Sequence, residues 1–219
     1  MQYIFLPQCG STQDEIKKLI KSQGPILVAT ASQTQGVGRR GHQWEFFENS
    51  LAFSFTLTPE LPITLNPLMI GVSICHFFKQ EFNKELKLKW PNDIMTVNGD
   101  KCGGIICELF NSNTIVAGVG LNFSSNPYGH IEEVHLTKEF QQETPQRFYQ
   151  FLLSNLISDE KQCISDWQNL CFHLGQKVKI CDEKNELEGV FQGIGEHGQA
   201  LISQNEKIHQ VFTGSLFIL

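Results

Sequence analysis

Two hydrophobic periods divide this chain, and the change from one to the other marks its organisation. Ile16, Leu19 and Ile20 fall on one helical face behind Ser11 or Thr12 as N-cap, and Gly24-Pro25 stops that helix. Thr12 and Glu15 have the spacing of a capping box. Ile26 to Thr30 is a short apolar strand that runs into a glycine-rich segment, and Leu51 to Leu57 reads as a buried strand. Asn66-Pro67 resembles an N-cap followed by proline at the first helical position, and Leu68 to Phe82 then forms a core helix. Leu86 to Trp90 alternates as a half-exposed strand and Pro91 ends it. Ile94–Val97 and Cys102–Phe110 flank Asn98-Gly99, a hairpin signal, and Ile115–Phe123 follows the turn Asn111-Ser112-Asn113. Pro127 to Gln142 reads as loop. Thr144-Pro145 starts a helix with Phe148, Phe151 and Leu152 on one face, and a second, from Ser158 or Asp159, carries Ile164, Trp167 and Leu170. From Gln176 the period shortens to strands at Gln176–Cys181, Glu186–Ile194, Gln199–Ser203, Lys207–Phe212 and Ser215–Leu219.

Consecutive hairpins predict an α+β fold with a mixed, largely antiparallel sheet and helices packed on it. The run of short strands at the end predicts a small β-barrel. A boundary near Leu174-Gly175 divides the chain into 1–174 and 175–219.

At 219 residues the chain is long enough for a sizeable core, and 41% hydrophobic with 18% charged residues is a globular composition. The net charge of -6 argues against a dedicated nucleic-acid binder. The N-terminus lacks a basic n-region and no run approaches a membrane span, so a cytoplasmic location without a membrane partner is expected. The seven cysteines form no C-x-x-C pair and read as reduced, mostly buried thiols. The histidines show no ligand spacing, so no metal-binding residues are expected.

Against that background one segment stands out, T-Q-G-V-G-R-R-G-H-Q-W from Thr34 to Trp44. Gly36, Gly38 and Gly41 bracket Arg39 and Arg40. Glycines let a ligand approach the backbone, and arginine presents a fork of donors to carboxylate or phosphate. Three further constellations accompany it. Lys89-Trp90-Pro91-Asn92-Asp93 puts an amide and a carboxylate at a strand end, or else forms an Asx-type turn. Lys101 precedes Gly103-Gly104 inside a strand, which marks close approach of a ligand or a bulge with a solvated lysine. Gly118-Val119-Gly120-Leu121-Asn122 makes a thin strand closed by an amide, and tight packing on a helix would serve equally.

Taken in order, Ser11-Thr12, Gln33 with G-V-G-R-R-G, K-W-P-N-D, K-C-G-G-I-I-C-E-L and G-V-G-L-N resemble the biotin–protein ligase family from about Leu6 through the C-terminal strands. The resemblance implies a catalytic domain like that of the biotin synthetases and class II aminoacyl-tRNA synthetases, with an SH3-like barrel after it. It implies that biotin and ATP, with Mg2+, give biotinyl-5′-AMP. The biotin then passes to a lysine of a biotin carboxyl carrier protein, usually a subunit of acetyl-CoA carboxylase. By the same resemblance Ser11, Thr12, Gln13, Gln33, Val37, Gly38, Arg39 and Lys101 bind biotin. Gly36, Arg39, Arg40, Trp44, Asn92, Lys101 and Asn122 hold the nucleotide, and Lys101, Arg39 and Asp93 are the catalytic set. Asp93 orients the incoming lysine or helps to hold magnesium. The resemblance leaves monomer and homodimer open. Because it begins almost at Met1, no operator DNA binding is expected. A lipoate or other acyl-acid ligase, and a regulator that binds biotin with weak turnover, are the alternatives.

The sequence departs from the family pattern in three places. Val37 stands where the loop usually has arginine, His42 where arginine is frequent, and Gln13 where the third residue of S-T-N is asparagine. The loop therefore carries less positive charge than usual. We predict a faster leak of the adenylate, slowed by Val37→Arg. Equal release rates for the two proteins in a filter-binding chase would refute this.

Overall fold

A computed structural model describes residues 1–20, 24–124, 126–127, 129–132, 135–182 and 185–219. Positions 128, 133 and 134 of the stretch read as loop lie outside the described residues. The elements in order are β1 (Gln2–Leu6), α1 (Thr12–Leu19), β2 (Ile26–Thr30), β3 (Gly36–Val37), β4 (Gln43–Trp44), β5 (Ser50–Leu57) and α2 (Asn66–Phe82). There follow β6 (Leu86–Lys89), β7 (Asp93–Thr96), β8 (Lys101–Asn111), β9 (Thr114–Asn122), α3 (Lys138–Ser154) and α4 (Glu160–Leu170). The C-terminal strands are β10 (Lys177–Cys181), β11 (Glu186–Ile194), β12 (Ala200–Gln204), β13 (Lys207–Val211) and β14 (Ser215–Ile218).

The larger sheet has the order β1-β2-β5-β9-β8-β7-β6 and is antiparallel except where β1 runs parallel to β2. The pleat sorts β5 and β9 cleanly. Leu51, Phe53, Phe55 and Leu57, with Ile115, Ala117, Val119 and Leu121, enter one large core. Helices α2 and α3 supply Phe77, Phe78, Phe148 and Tyr149 to that core. The Phe53, Phe55 and Phe77 rings meet Phe148 at centroid distances of 5.7, 6.0 and 5.6 Å. The buried Tyr149 hydroxyl donates to the Thr56 carbonyl at 2.5 Å. On the opposite face α1 packs Ile16 against Ile26, Val28 and Val116. The C-terminal strands form a second, five-stranded antiparallel sheet in the order β13-β12-β11-β10-β14. The fold is thus the α+β arrangement expected from the sequence.

Four local readings need correction. Strand β1 lies outside the expected elements, because its apolar run is short and its partner among the described residues is β2. Helix α3 begins at Lys138, inside the stretch read as loop, with the Thr137 hydroxyl accepting from the Phe140 N–H. Pro145 therefore sits within the helix, although proline usually marks the first turn. Asn66 is the first helical residue, and its amide donates to the carbonyls of Leu61, Pro62 and Ile63. The capping box of α1 does not form: Ser11 is the N-cap without a side-chain cap bond, and the Thr12 hydroxyl is engaged elsewhere.

Fully buried His173 lies between α4 and β10, with its ring centroid 4.2 Å from that of Phe191. Burial, reinforced by Lys89 and opposed by Asp93, lowers its pKa from 6.5 to about 4. Between those values the unfolded chain binds a proton that the folded chain does not. Stability should therefore be full above pH 6.5 and fall as pH drops through 4. The loss should be on the order of 3 kcal/mol from this group. Urea midpoints across this range should show the decline, with a flatter profile in His173→Gln; parallel profiles would assign it to other groups.

Candidate active site

The glycine-rich segment folds as a small hairpin. Gly36 pairs with Trp44 and Val37 with Gln43, and a single 3-10 turn, Arg39–Gly41, forms the tip. Arg40 and Gly41 both have positive φ, 54° and 74°, which turns the chain sharply between the two arginines. Both side chains nevertheless reach the loop between β13 and β14. Arg39 donates to Asn92 Oδ1 and to the Gly214 carbonyl, both at 3.4 Å, whereas Arg40 donates to Thr213 Oγ1 at 2.8 Å. Burial and the neighbouring Arg40 lower the Arg39 pKa, and Asp93 opposes them. A guanidinium stays charged at neutral pH even so.

Under this hairpin lies a cavity of about 360 Å³. Its floor is the α1-side face of β5, β9 and β8, where the register aligns Ala52, Gly120 and Gly104 in one row and Ser54, Gly118 and Ile106 in the next. The missing side chains are filled from above. A Cβ on Gly120 would stand 2.4 Å from the Trp44 indole, and one on Gly118 would stand 2.5 Å from the Gln13 amide nitrogen. Both side chains rest on bare backbone.

The near wall comes from the start of α1. The Gln33 side-chain amide oxygen accepts from the Thr12 N–H at 2.9 Å and from its hydroxyl at 3.2 Å, and the same hydroxyl lies 2.8 Å from Ser54 Oγ. Ser11 Oγ, both amide atoms of Gln13 and Trp44 Nε1 are buried without a hydrogen-bond partner among the described residues. Buried polar atoms are nearly always paired, so such a set on the wall and roof of one cavity is suited to a polar ligand. The far wall carries charge. Lys101 Nζ lies 2.7 Å from Asp93 Oδ1 and Lys89 Nζ lies 3.3 Å from Asp93 Oδ2. Asn92 donates to the Ile105 carbonyl at 2.7 Å, which leaves its oxygen for Arg39.

Two models for protein families match this chain, "Biotin/lipoate A/B protein ligase family" over residues 6–122 and "Biotin protein ligase C terminal domain" over residues 173–219. The chain belongs to the biotin/lipoate A/B protein ligase family. Among solved structures it is similar to the biotin protein ligase of Aquifex aeolicus in complex with biotin and ATP. Their TM-score is 0.80 at 26% identity, over 100% of this chain and 99% of that one. It is 24% identical to the biotin–[acetyl-CoA-carboxylase] ligase of Paracoccus denitrificans, over 90% of this chain and 92% of the relative. It is 22% identical to a bifunctional ligase/repressor of Bacillus subtilis, over 97% of this chain and 73% of the relative.

Most residues singled out in the sequence as a family ligase site meet around this one cavity. Ser11, Thr12, Gln13, Gln33, Val37, Gly38, Arg39, Trp44, Asn92, Asp93 and Lys101 all line it. Three do not. Gly36 is packed beneath the Trp44 carbonyl, where a Cβ would come within 2.5 Å. Arg40 lines a second hollow of about 440 Å³, with Leu68, His197 and Phe212, which adjoins the main cavity through Arg39 and Asn92. Asn122 lines a small annex of about 130 Å³ with Phe47, Lys101 and Trp44, and accepts from Ser50 Oγ at 3.1 Å. The sequence reading missed Ser54, Lys89 and Phe217, which also line the main cavity. Lys89 was visible in K-W-P-N-D, but no local signal connects Phe217 to residues so far away in the chain.

The contact at Gly120 is rigid, because a Cβ there meets a ring and not a flexible tip. Gly120→Ala should displace Trp44 and weaken ligand binding at least tenfold by calorimetry, with thermal unfolding lowered by only a few degrees, about what ~1 kcal/mol produces. Unchanged affinity would detach Trp44 from the site.

Proposed function

We propose that this chain is a biotin–protein ligase. The observation that carries the reading is the pairing, in one cavity, of unpartnered polar atoms at Ser11, Gln13 and Trp44 with the cations Arg39 and Lys101. The first group suits a compact polar head group such as the ureido ring of biotin, and the cations suit its carboxylate and the α-phosphate of ATP. A carboxylate oxygen attacks the α-phosphorus, the bond to the β-phosphate breaks and pyrophosphate leaves. Arg39 and Lys101 stabilise the charge that builds on both reactants. The amine of a carrier lysine then attacks the acyl carbon, and AMP departs as the amine loses its proton. The hairpin tip covers the anhydride against water. The match of residues 173–219 to a biotin protein ligase C-terminal domain favours biotin over lipoate.

The residues present do not fit a resident magnesium ion. Among the described residues no group of His, Cys, Asp or Glu is placed to hold a metal, and both Asp93 oxygens face lysines. We take magnesium to arrive on the phosphates of ATP, as part of the substrate.

The acceptor is read as a biotin carboxyl carrier domain, in keeping with the name of the Paracoccus relative. Strand β8 extends past its pairing with β7, and Leu109 and Phe110 are exposed on that extension. An edge of this kind accepts a strand from another chain, and it is continuous with Ile106 of the cavity wall. We further read residues 1–174 as the catalytic unit and 175–219 as a small unit that completes the cavity through Ser215 and Phe217.

The test is mass spectrometry of a carrier domain incubated with this protein, ATP, magnesium and either biotin or lipoate. Addition of the biotinyl mass to a single lysine is expected. Transfer of lipoate alone, or of neither acid, would overturn the reading. Lys101→Ala should lower adenylate formation by about 10²–10³-fold with the fold intact, the scale of removing one donor from a desolvated reacting site. Retained activity would remove Lys101 from the catalytic set.

A further inference from the structure

Three adjacent strands present a lysine, a carboxylate and a lysine in line. Lys89 ends β6 and stands opposite Asp93 in the β6–β7 register. Across the other edge of β7, Asp93 pairs with Gly104 and Ile94 with Gly103, but Met95 pairs with Lys101. The extra residue, Cys102, is a bulge, and it changes which side chains share a face. Met95 lies on the same face of β7 as Asp93, so the shifted register turns Lys101 toward that carboxylate. Without the bulge Lys101 would point to the opposite side of the sheet.

The carboxylate is divided between its neighbours, Oδ1 to Lys101 at 2.7 Å and Oδ2 to Lys89 at 3.3 Å. The exposures of the three side chains decide how this cluster works. Asp93 is 14% and Lys89 19% exposed, whereas Lys101 is 38% exposed and open to the cavity. A carboxylate held at both oxygens has one orientation. Held by a single ammonium, it turns about its last torsion, which is soft, and brings both oxygens onto that partner. Two lysines around one aspartate also leave a net positive charge where one would leave none.

We propose that Lys89 is a positioning residue: by occupying one oxygen of Asp93 it keeps Lys101 directed into the cavity and only partly neutralised. The inference rests on the ligase reading and on the role given there to Lys101. It makes Lys89 act through Asp93 and not by touching the reactants.

The experiment is biotin-dependent exchange of labelled pyrophosphate into ATP, with the full chain and with Lys89→Met, Lys89→Arg, Asp93→Asn and the double variant Lys89→Met/Asp93→Asn. Lys89→Met should lower kcat roughly tenfold or more with the KM for biotin nearly unchanged, and Lys89→Arg should recover most of the loss. In the Asp93→Asn background, removing Lys89 should have little further effect, since its only route of action is gone. A wild-type rate for Lys89→Met, or the same fold-loss in both backgrounds, overturns the proposal. An unmodified chain inactive with biotin would count against the ligase reading instead. The clamp is then decided by trace acetylation of Lys101, read by mass spectrometry. Acetylation should be slower in Lys89→Met than in the unmodified protein, and an equal rate overturns the clamp.

Discussion

The site depends on a thin patch of sheet. Where β5, β9 and β8 lie side by side, the face toward α1 carries Ala52, Gly120 and Gly104 in one row and Ser54 and Gly118 in the next. Glycine inside a strand costs about 0.5–1 kcal/mol, so this patch is intrinsically weak. The opposite face offsets that cost, because the intervening residues of the same strands, Phe53, Phe55, Val119 and Leu121, lie in the aromatic core. One alternation thus divides the labour. Each strand anchors itself through one face and leaves the other low enough for Gln13 and Trp44 to settle directly on the backbone.

Charge is organised locally against the average. The chain carries a net charge of -6, yet the cavity gathers Arg39, Lys89 and Lys101 around a single carboxylate, Asp93. At physiological ionic strength fields between exposed charges fade over about 8 Å, so the overall sign says little about a half-buried cluster. Positioning matters more. Arg39 and Arg40 both donate to the loop between β13 and β14, and Arg39 also reaches Asn92 on the cavity wall.

Much of this was legible from residue order. Period-two runs and Asn98-Gly99 located the central hairpins, and the glycines of β8 and β9 marked where a ligand or another backbone approaches. At Lys101 the sequence offered a bulge with a solvated lysine or a ligand-facing lysine. The structure has a bulge, but the lysine it turns is ion-paired to Asp93 and lines the cavity. The failures share a cause. Local spacing makes Thr12 a capping residue, yet its hydroxyl is taken by Gln33 and Ser54, which are distant in sequence. Pro145 looked like a helix start because its usual place is the first turn, whereas Thr137 begins the helix earlier. Strand β1, Ser54 and Phe217 acquire meaning only through partners that no local window contains.

The indole of Trp90 has one more implication. It is buried at the end of β6 and donates to the carbonyl of Gly198, in the turn before β12, at 2.9 Å. Swinging the smaller sheet outward would strand that donor and bare one of the largest buried side chains among the described residues. The indole thus ties the smaller sheet to the larger one, while the hairpin tip reaches Asn92, Thr213 and Gly214 through guanidinium hydrogen bonds, contacts of a kind that an anion can replace.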